Sequence, residues 1–238
     1  MTATKTVALI TGANKGIGFE IARQLGKKGF LVVLGARETT KGKAAVAKLC
    51  AEGIDAHFVK LEVSSKTDVE ALPGFFREKF GRLDVLVNNA GVAEWTHDDL
   101  DTFRRTFEAN VFGVVAVTYA LLPLLTASPA GRIVNHSSAL GSLTSITSAP
   151  EEFGDFVNPA YTTSKAALNG FTVALAHKLR ETNVKVNSAH PGWVKTDLGG
   201  DAAPMEVVDG AKSAVTLATL PANGPTGGFF HMGERLPW

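Results

Sequence analysis

The chain has a single cysteine, Cys50, among 238 residues. A lone thiol cannot close an internal disulfide and excludes a cysteine-rich zinc site. A reducing, cytoplasmic setting suits it, and no metal is expected. Neither sign of charge is in excess: 24 lysines and arginines face 23 aspartates and glutamates, for a formal net charge of +1. A general nucleic-acid binder, or a protein held on an anionic membrane, would carry a basic surplus. Neither partner is expected. Long apolar runs are also scarce. Val7 to Ile10 is too short for the core of a signal peptide. Residues 109–131 hold no charge and have the length of a membrane span, but Asn110, Gly113, Thr118 and Pro123 interrupt them. This segment reads as a helix buried between a sheet and a partner surface.

What the chain does have is glycine and a regular alternation of elements. Glycine is 24 of 238 residues, above the usual share of roughly 7%. Apolar residues make up 45%, enough for a full core in a single domain. Apolar runs at 7–10, 31–34, 56–61, 85–87, 132–135, 184–187 and 228–231 read as strands. Between them lie helical patterns at 16–28, 41–52, 66–80, 100–125, 160–180 and 205–220. In the second helix the expected buried stripe is Ala44, Ala47 and Cys50. Several strands are continuous apolar runs, as expected of a parallel sheet covered by helices on both faces. The expected architecture is α/β: one doubly wound parallel sheet of about seven strands.

Thr11-Gly12-Ala13-Asn14-Lys15-Gly16-Ile17-Gly18 joins the first strand to the first helix. In that context glycines serve a dinucleotide: Gly12 turns the chain, Gly16 admits a pyrophosphate, and Gly18 lets the helix pack closely. The helix N-terminus then meets the phosphates with free N–H groups and a positive dipole end. The fold expected is therefore Rossmann-type. The second strand ends Leu34-Gly35-Ala36-Arg37. NAD sites put an acid near this point for the ribose 2′-hydroxyl, whereas a guanidinium suits a 2′-phosphate. With Lys15 as a second positive charge, NADP(H) is expected as cofactor in preference to NAD(H).

Tyr161 and Lys165 stand four apart on the helix over 160–180 and share a face. A phenol ordinarily titrates near pH 10 and needs a stabilised anion to serve as an acid. Lys165 is expected to lower its pKa, leaving Tyr161 to give a proton to a substrate oxygen. Ser138 closes the fifth strand at the sheet's C-terminal edge, where such sites gather.

These motifs, with Asn88-Asn89-Ala90-Gly91, Asn110, Ser137-Ser138 and Pro191-Gly192 in order, resemble the short-chain dehydrogenase/reductase family over nearly the whole chain. Asn14-Lys15, Gly35-Ala36-Arg37 and the ending Thr226-Gly227-Gly228-Phe229-Phe230 look most like its carbonyl-reductase branch, whose members use NADPH. The resemblance implies that Asn89, Ala90 and Gly91 line the riboses. Glu62 and Val63 would frame the adenine, although the family usually has Asp where Glu62 stands. Pro191, Gly192, Val194 and Thr196 would wall the nicotinamide. It implies that Ser138, chosen over Ser137, polarises the substrate oxygen. Asn110 would hold a water linking Lys165 to solvent. Lys165 would also hold the nicotinamide ribose, and His136 reads as structural.

The chain departs from the family between Ser138 and Tyr161, where 22 residues stand in place of about a dozen. The insert falls near 141–159 and carries Glu151, Glu152, Phe153, Asp155 and Phe156. The two glutamates read as solvated. Trp95, Leu140, Phe156 and Trp193 are candidate substrate walls. The oligomeric state is left open between monomer and homo-oligomer. The expected activity is hydride transfer from NADPH to the carbonyl of an aldehyde or ketone, giving an alcohol. The alternatives are a non-catalytic NADP(H)-sensing or scaffold protein, and a reductase of carrier-bound 3-oxoacyl groups.

Overall fold

The computed structural model describes residues 5–238. Residues 1–4 and the Asp155 side chain, one of the insert's three acids, lie outside the described part. Eight strands form one sheet in the order β3-β2-β1-β4-β5-β6-β7-β8. They are β1 Val7–Thr11, β2 Leu31–Ala36, β3 Ala56–Lys60, β4 Val85–Asn88, β5 Arg132–His136, β6 Lys185–Ala189, β7 Phe229–His231 and β8 Glu234–Leu236. The first seven run parallel, and β8 returns antiparallel to β7. The eighth strand was not foreseen. Met232 and Gly233 both take positive φ, 49° and 91°, and close a two-residue hairpin between the paired His231 and Glu234. Asn-Gly announces such a turn; Met-Gly does not.

The continuous apolar strands have the predicted cause. Ala8 and Ile10 of β1 face one buried cluster, while Val7 and Leu9 face the other. Helices α1 (Gly16–Lys27) and α2 (Thr39–Ala51) cover the first cluster. Helix α3 (Lys66–Phe80) and α4 (Leu100–Ala127) cover the second. The α2 stripe differs from expectation: Gly42, Ala45 and Leu49 are buried, whereas Ala44, Ala47 and Cys50 face solvent. Gly42 meets the ring of Phe58, so the helix is rotated to bring its glycine onto β3.

The uncharged stretch at 109–131 is largely the second half of α4. Val114, Val117, Leu121 and Leu125 are buried on the sheet, while Phe112 and Tyr119 are exposed on the outer side. The helix is continuous but widens to a π turn at Glu108–Phe112.

In the insert, α5 (Leu143–Ser148) and α6 (Pro150–Phe153) are short. The Thr144 N–H donates to the Trp238 carbonyl at 2.8 Å, tying the insert to the end of the sheet. Helix α7 spans Pro159–Lys178. The expected helix at 205–220 is two short pieces, α8 (Val207–Gly210) and α9 (Lys212–Ala218). Helix α9 packs on the face that α1 covers.

Candidate active site

The C-terminal ends of β1, β4, β5 and β6 gather the expected residues along one edge. At β1 the loop turns through Gly12 and Gly16, at φ 65° and 58°. A Cβ on Gly12 would lie 2.9 Å from the Ala90 Cα, so this residue has neither the space nor the backbone angle for a side chain. Gly18 leaves room for the Asn89 amide. Lys15 occupies the N-cap of α1 but its side chain does not cap the helix, and the first turn holds no acid. The uncapped N–H groups and the glycine cradle fit a dinucleotide pyrophosphate. Asn14 is half-buried in this loop, and Ile17 packs onto the core beneath it.

Thr11, which the sequence reading passed over, holds the β4 loop. Its hydroxyl accepts from the N–H groups of Asn89 at 3.0 Å and Ala90 at 2.9 Å. The Asn89 side chain turns inward, in contrast to the ribose-lining role expected of it. Its Nδ2 donates to the Thr11 carbonyl at 2.9 Å, and its Oδ1 pairs with His136 Nδ1 at 2.9 Å. An amide oxygen only accepts, so His136 carries its proton on Nδ1.

At the far end of the groove, Arg37 is exposed, with Glu62 at 4.0 Å and its chain neighbour Glu38 also within its field. Lys15 is paired with Asp197, beyond Thr196, so its charge is already met across the groove. Val63 is buried under Gly113 of α4.

On the other side of the groove, Gly192 has φ 90° beside Met205 and His231. Val194 is buried and bridges to Met205. The Thr196 hydroxyl lies 3.3 Å from the Val194 carbonyl, which accepts from it. Pro191 is half-buried at the start of this wall.

Helix α7 starts cleanly because Pro159 occupies its first turn and Asn158 caps it. The Asn158 Oδ1 accepts from the Tyr161 N–H at 2.9 Å. Tyr161, Lys165 and Ser138 are all buried, at 8%, 6% and 9% exposure. Lys165 Nζ donates to the His136 carbonyl at 2.8 Å and lies 5.5 Å from the centre of the Tyr161 ring.

The expected lowering of the phenol does not appear. Burial pushes Tyr161 up to about 12 against the Ser138 hydroxyl, which pulls it down. The same burial pushes Lys165 down to about 8. Both shifts have one cause, since removing water penalises whichever form is charged. The phenol therefore holds its proton at neutral pH, as a proton donor must.

Asn110 lies in the π turn, fully buried. Its Oδ1 accepts from the Val92 N–H at 2.8 Å. Its Nδ2 donates to the Val92 carbonyl at 2.9 Å and to Ser164 Oγ at 3.1 Å. These three bonds tie the β4 loop to α7.

Of the candidate walls, Trp95 lies 5.3 Å from the Tyr161 ring, and Trp193 pairs with Phe156 at 5.0 Å. The Leu140 N–H donates to Ser138 Oγ at 3.2 Å. Glu151 and Glu152 are solvent-exposed, as expected.

A doubly wound sheet with a glycine cradle, a buried tyrosine–lysine pair and a serine at the fifth strand defines a dinucleotide-dependent oxidoreductase. The short chain dehydrogenase family model matches residues 6–206. The chain is 37% identical over 279 residues to carbonyl reductase (NADPH) 1 of Mus musculus, covering 100% of both. A salutaridine reductase structure from Papaver somniferum superposes with a TM-score of 0.83 at 32% identity, over 96% of this chain and 100% of that one. An NADPH-bound carbonyl reductase from chicken fatty liver superposes with a TM-score of 0.86 at 26% identity, over 98% of this chain and 99% of that one. The chain belongs to the short chain dehydrogenase family.

Replacing Asn158 with Ala removes the α7 cap. Denaturant unfolding is expected to show a loss of about 1 kcal/mol.

Proposed function

We propose that the protein is an NADPH-dependent carbonyl reductase, converting an aldehyde or ketone to the alcohol in the cytoplasm. The observation that carries the reading is the buried Tyr161, protonated at neutral pH, one turn from Lys165 and facing Ser138. The names of the Mus musculus relative and the chicken structure support the same chemistry. The single cysteine, free and exposed, suits a reducing compartment.

NADPH, when bound, supplies the hydride. The chain's residues do the rest. Gly12, Gly16, Gly18 and the first turn of α1, with Asn14 and Ile17, hold the pyrophosphate. Arg37 takes the 2′-phosphate, its guanidinium being free to form charge-assisted bonds. Lys15 joins it by leaving Asp197. Glu62 and Val63 bound the adenine end, and Ala90 and Gly91 the ribose. Pro191, Gly192, Val194 and Thr196 bound the nicotinamide end.

Ser138 donates a hydrogen bond to the substrate oxygen as negative charge grows there. Tyr161 delivers its proton to that oxygen. Lys165 would hold the nicotinamide ribose and, 5.5 Å from the Tyr161 ring, steady the tyrosinate left behind. Trp95, Trp193 and Phe156 give the substrate an apolar mouth, and Asn110 keeps the β4 loop in register with α7.

Purified protein mixed with NADPH and a panel of ketones and aldehydes is expected to oxidise the coenzyme. Tyr161→Phe should lower kcat by about 10²–10⁴-fold, the usual worth of a general acid. Equal turnover by both forms, or none by the wild type, would defeat the reading.

Arg37→Ser should raise the KM for NADPH about tenfold, as expected for loss of a charge-assisted contact at an exposed site. The KM for NADH should stay unchanged.

The pH profile follows from Lys165. Its ammonium is present below about 8 and lost above it, while Tyr161 keeps its proton to about 12. Measured kcat/KM for reduction should therefore be flat near neutrality and fall as pH rises through about 8.

A further inference from the structure

Ser138 sits at the N-cap of a single 3₁₀ turn, Ala139–Gly141, and its hydroxyl accepts from Leu140 within that turn. The direction of this hydroxyl follows the backbone of the turn, and two side chains outside the expected site grip that backbone. His190, just beyond β6, accepts the Ala139 N–H on Nδ1 at 3.2 Å. Asn169, on α7, donates from Nδ2 to the Gly141 carbonyl at 3.1 Å. Asn169 lies one helical turn beyond Lys165 and two beyond Tyr161, on the same face.

We propose that His190 and Asn169 are positioning residues that clamp the Ala139–Gly141 turn and so fix Ser138 relative to Tyr161. The inference rests on the reading of Ser138 as the group that polarises the substrate oxygen.

Three further observations support the clamp. His190 Nδ1 also takes the Gly192 N–H at 3.4 Å, so a single atom ties the serine turn to the nicotinamide wall. That nitrogen must be bare to accept twice, and burial together with His231 pushes His190 down to about 3, keeping it neutral. The His190 main chain is held in turn: its carbonyl pairs with His231 Nδ1 at 3.0 Å, and its N–H donates to the Phe230 carbonyl at 2.8 Å.

On the helix side, Asn169 Oδ1 is buried without a partner among the described residues. Orphaned buried acceptors are uncommon, so the amide is retained for its donor half. Between the two side chains, a Cβ on Gly141 would come within 2.7 Å of the Lys165 backbone, and the turn lies flat on α7.

The test is steady-state kinetics on Ser138→Ala, His190→Leu, His190→Asn and the double variant Ser138→Ala/His190→Leu. Ser138→Ala should lower kcat by about 10²-fold or more, as for loss of an oxyanion donor. His190→Leu should lower kcat about tenfold through misplacement, with the KM for NADPH held within about twofold. His190→Asn, whose amide oxygen takes the place of Nδ1, should restore most of the rate.

The double variant should be no slower than Ser138→Ala alone, because the histidine acts only through the serine. Asn169→Leu carries the same expectation from the helix side, so a His190 variant that fails to fold leaves the test standing. If Ser138→Ala turns over normally, the reading of Ser138 fails and the clamp with it. If Ser138→Ala is slow but the His190 and Asn169 variants are not, or their effects multiply with it, the clamp alone is overturned.

Discussion

The site depends on how closely α7 lies against the ends of β5 and β6. Lys165 is buried and gives its proton-bearing nitrogen to the His136 carbonyl at 2.8 Å. A buried ammonium without such an acceptor is costly and gives up its charge. The bond is reachable only because Gly141 offers no side chain where the turn meets the Lys165 backbone. The same contact brings the turn that begins at Ser138 onto the helix that carries Tyr161. A glycine in a loop thus determines where a lysine and a tyrosine on a helix can stand.

The register of the supporting strands is fixed by a buried polar ladder. Asn88 on β4, Asn135 on β5 and Ser188 on β6 are neighbours in the sheet. Asn88 Nδ2 donates to Thr118 of α4 at 3.0 Å and to Asn135 Oδ1 at 2.9 Å. Asn135 Nδ2 donates to Thr172 of α7 at 2.9 Å, and Thr172 meets Ser188 at 2.9 Å. Slipping one strand would leave several of these groups buried and unpaired, at about 1–3 kcal/mol each. Apolar contacts tolerate sliding; this chain of amides and hydroxyls does not. It therefore fixes both helices against three of the four strands whose ends form the site.

Much of this was legible in the sequence because the chemistry demands particular residues at short spacings. The glycine loop, Arg37, and Tyr161 with Lys165 all declare themselves locally, and strands buried on both faces appear as apolar runs. Contacts made across the fold were not legible. Thr11 reads as the first residue of the glycine loop until Asn89 and Ala90 are seen on its hydroxyl. His190 and Asn169 are far apart in sequence and meet only through the turn between them. The orientation of α2 was misjudged because alanines signal burial weakly, while the deciding contact, Gly42 on Phe58, lies across to β3. The height of the Tyr161 pKa also escaped, since i,i+4 spacing reveals a neighbour but not the loss of water around both groups.

The histidines show how the site keeps its charges constant. His136 donates from Nδ1 to Asn89, whereas His190 accepts on Nδ1 from two backbone N–H groups. The two rings are therefore neutral and of opposite tautomer, each fixed by its partners. Burial pushes both down to about 3, and Lys165 adds to the effect at His136. Protonating His136 would set a second positive charge beside Lys165 in a buried space, where charges of like sign repel strongly. Between about 3 and about 8 none of His136, His190, Tyr161 and Lys165 changes its charge. The lysine is left as the one positive charge of this quartet over that range, and the tyrosine keeps its proton.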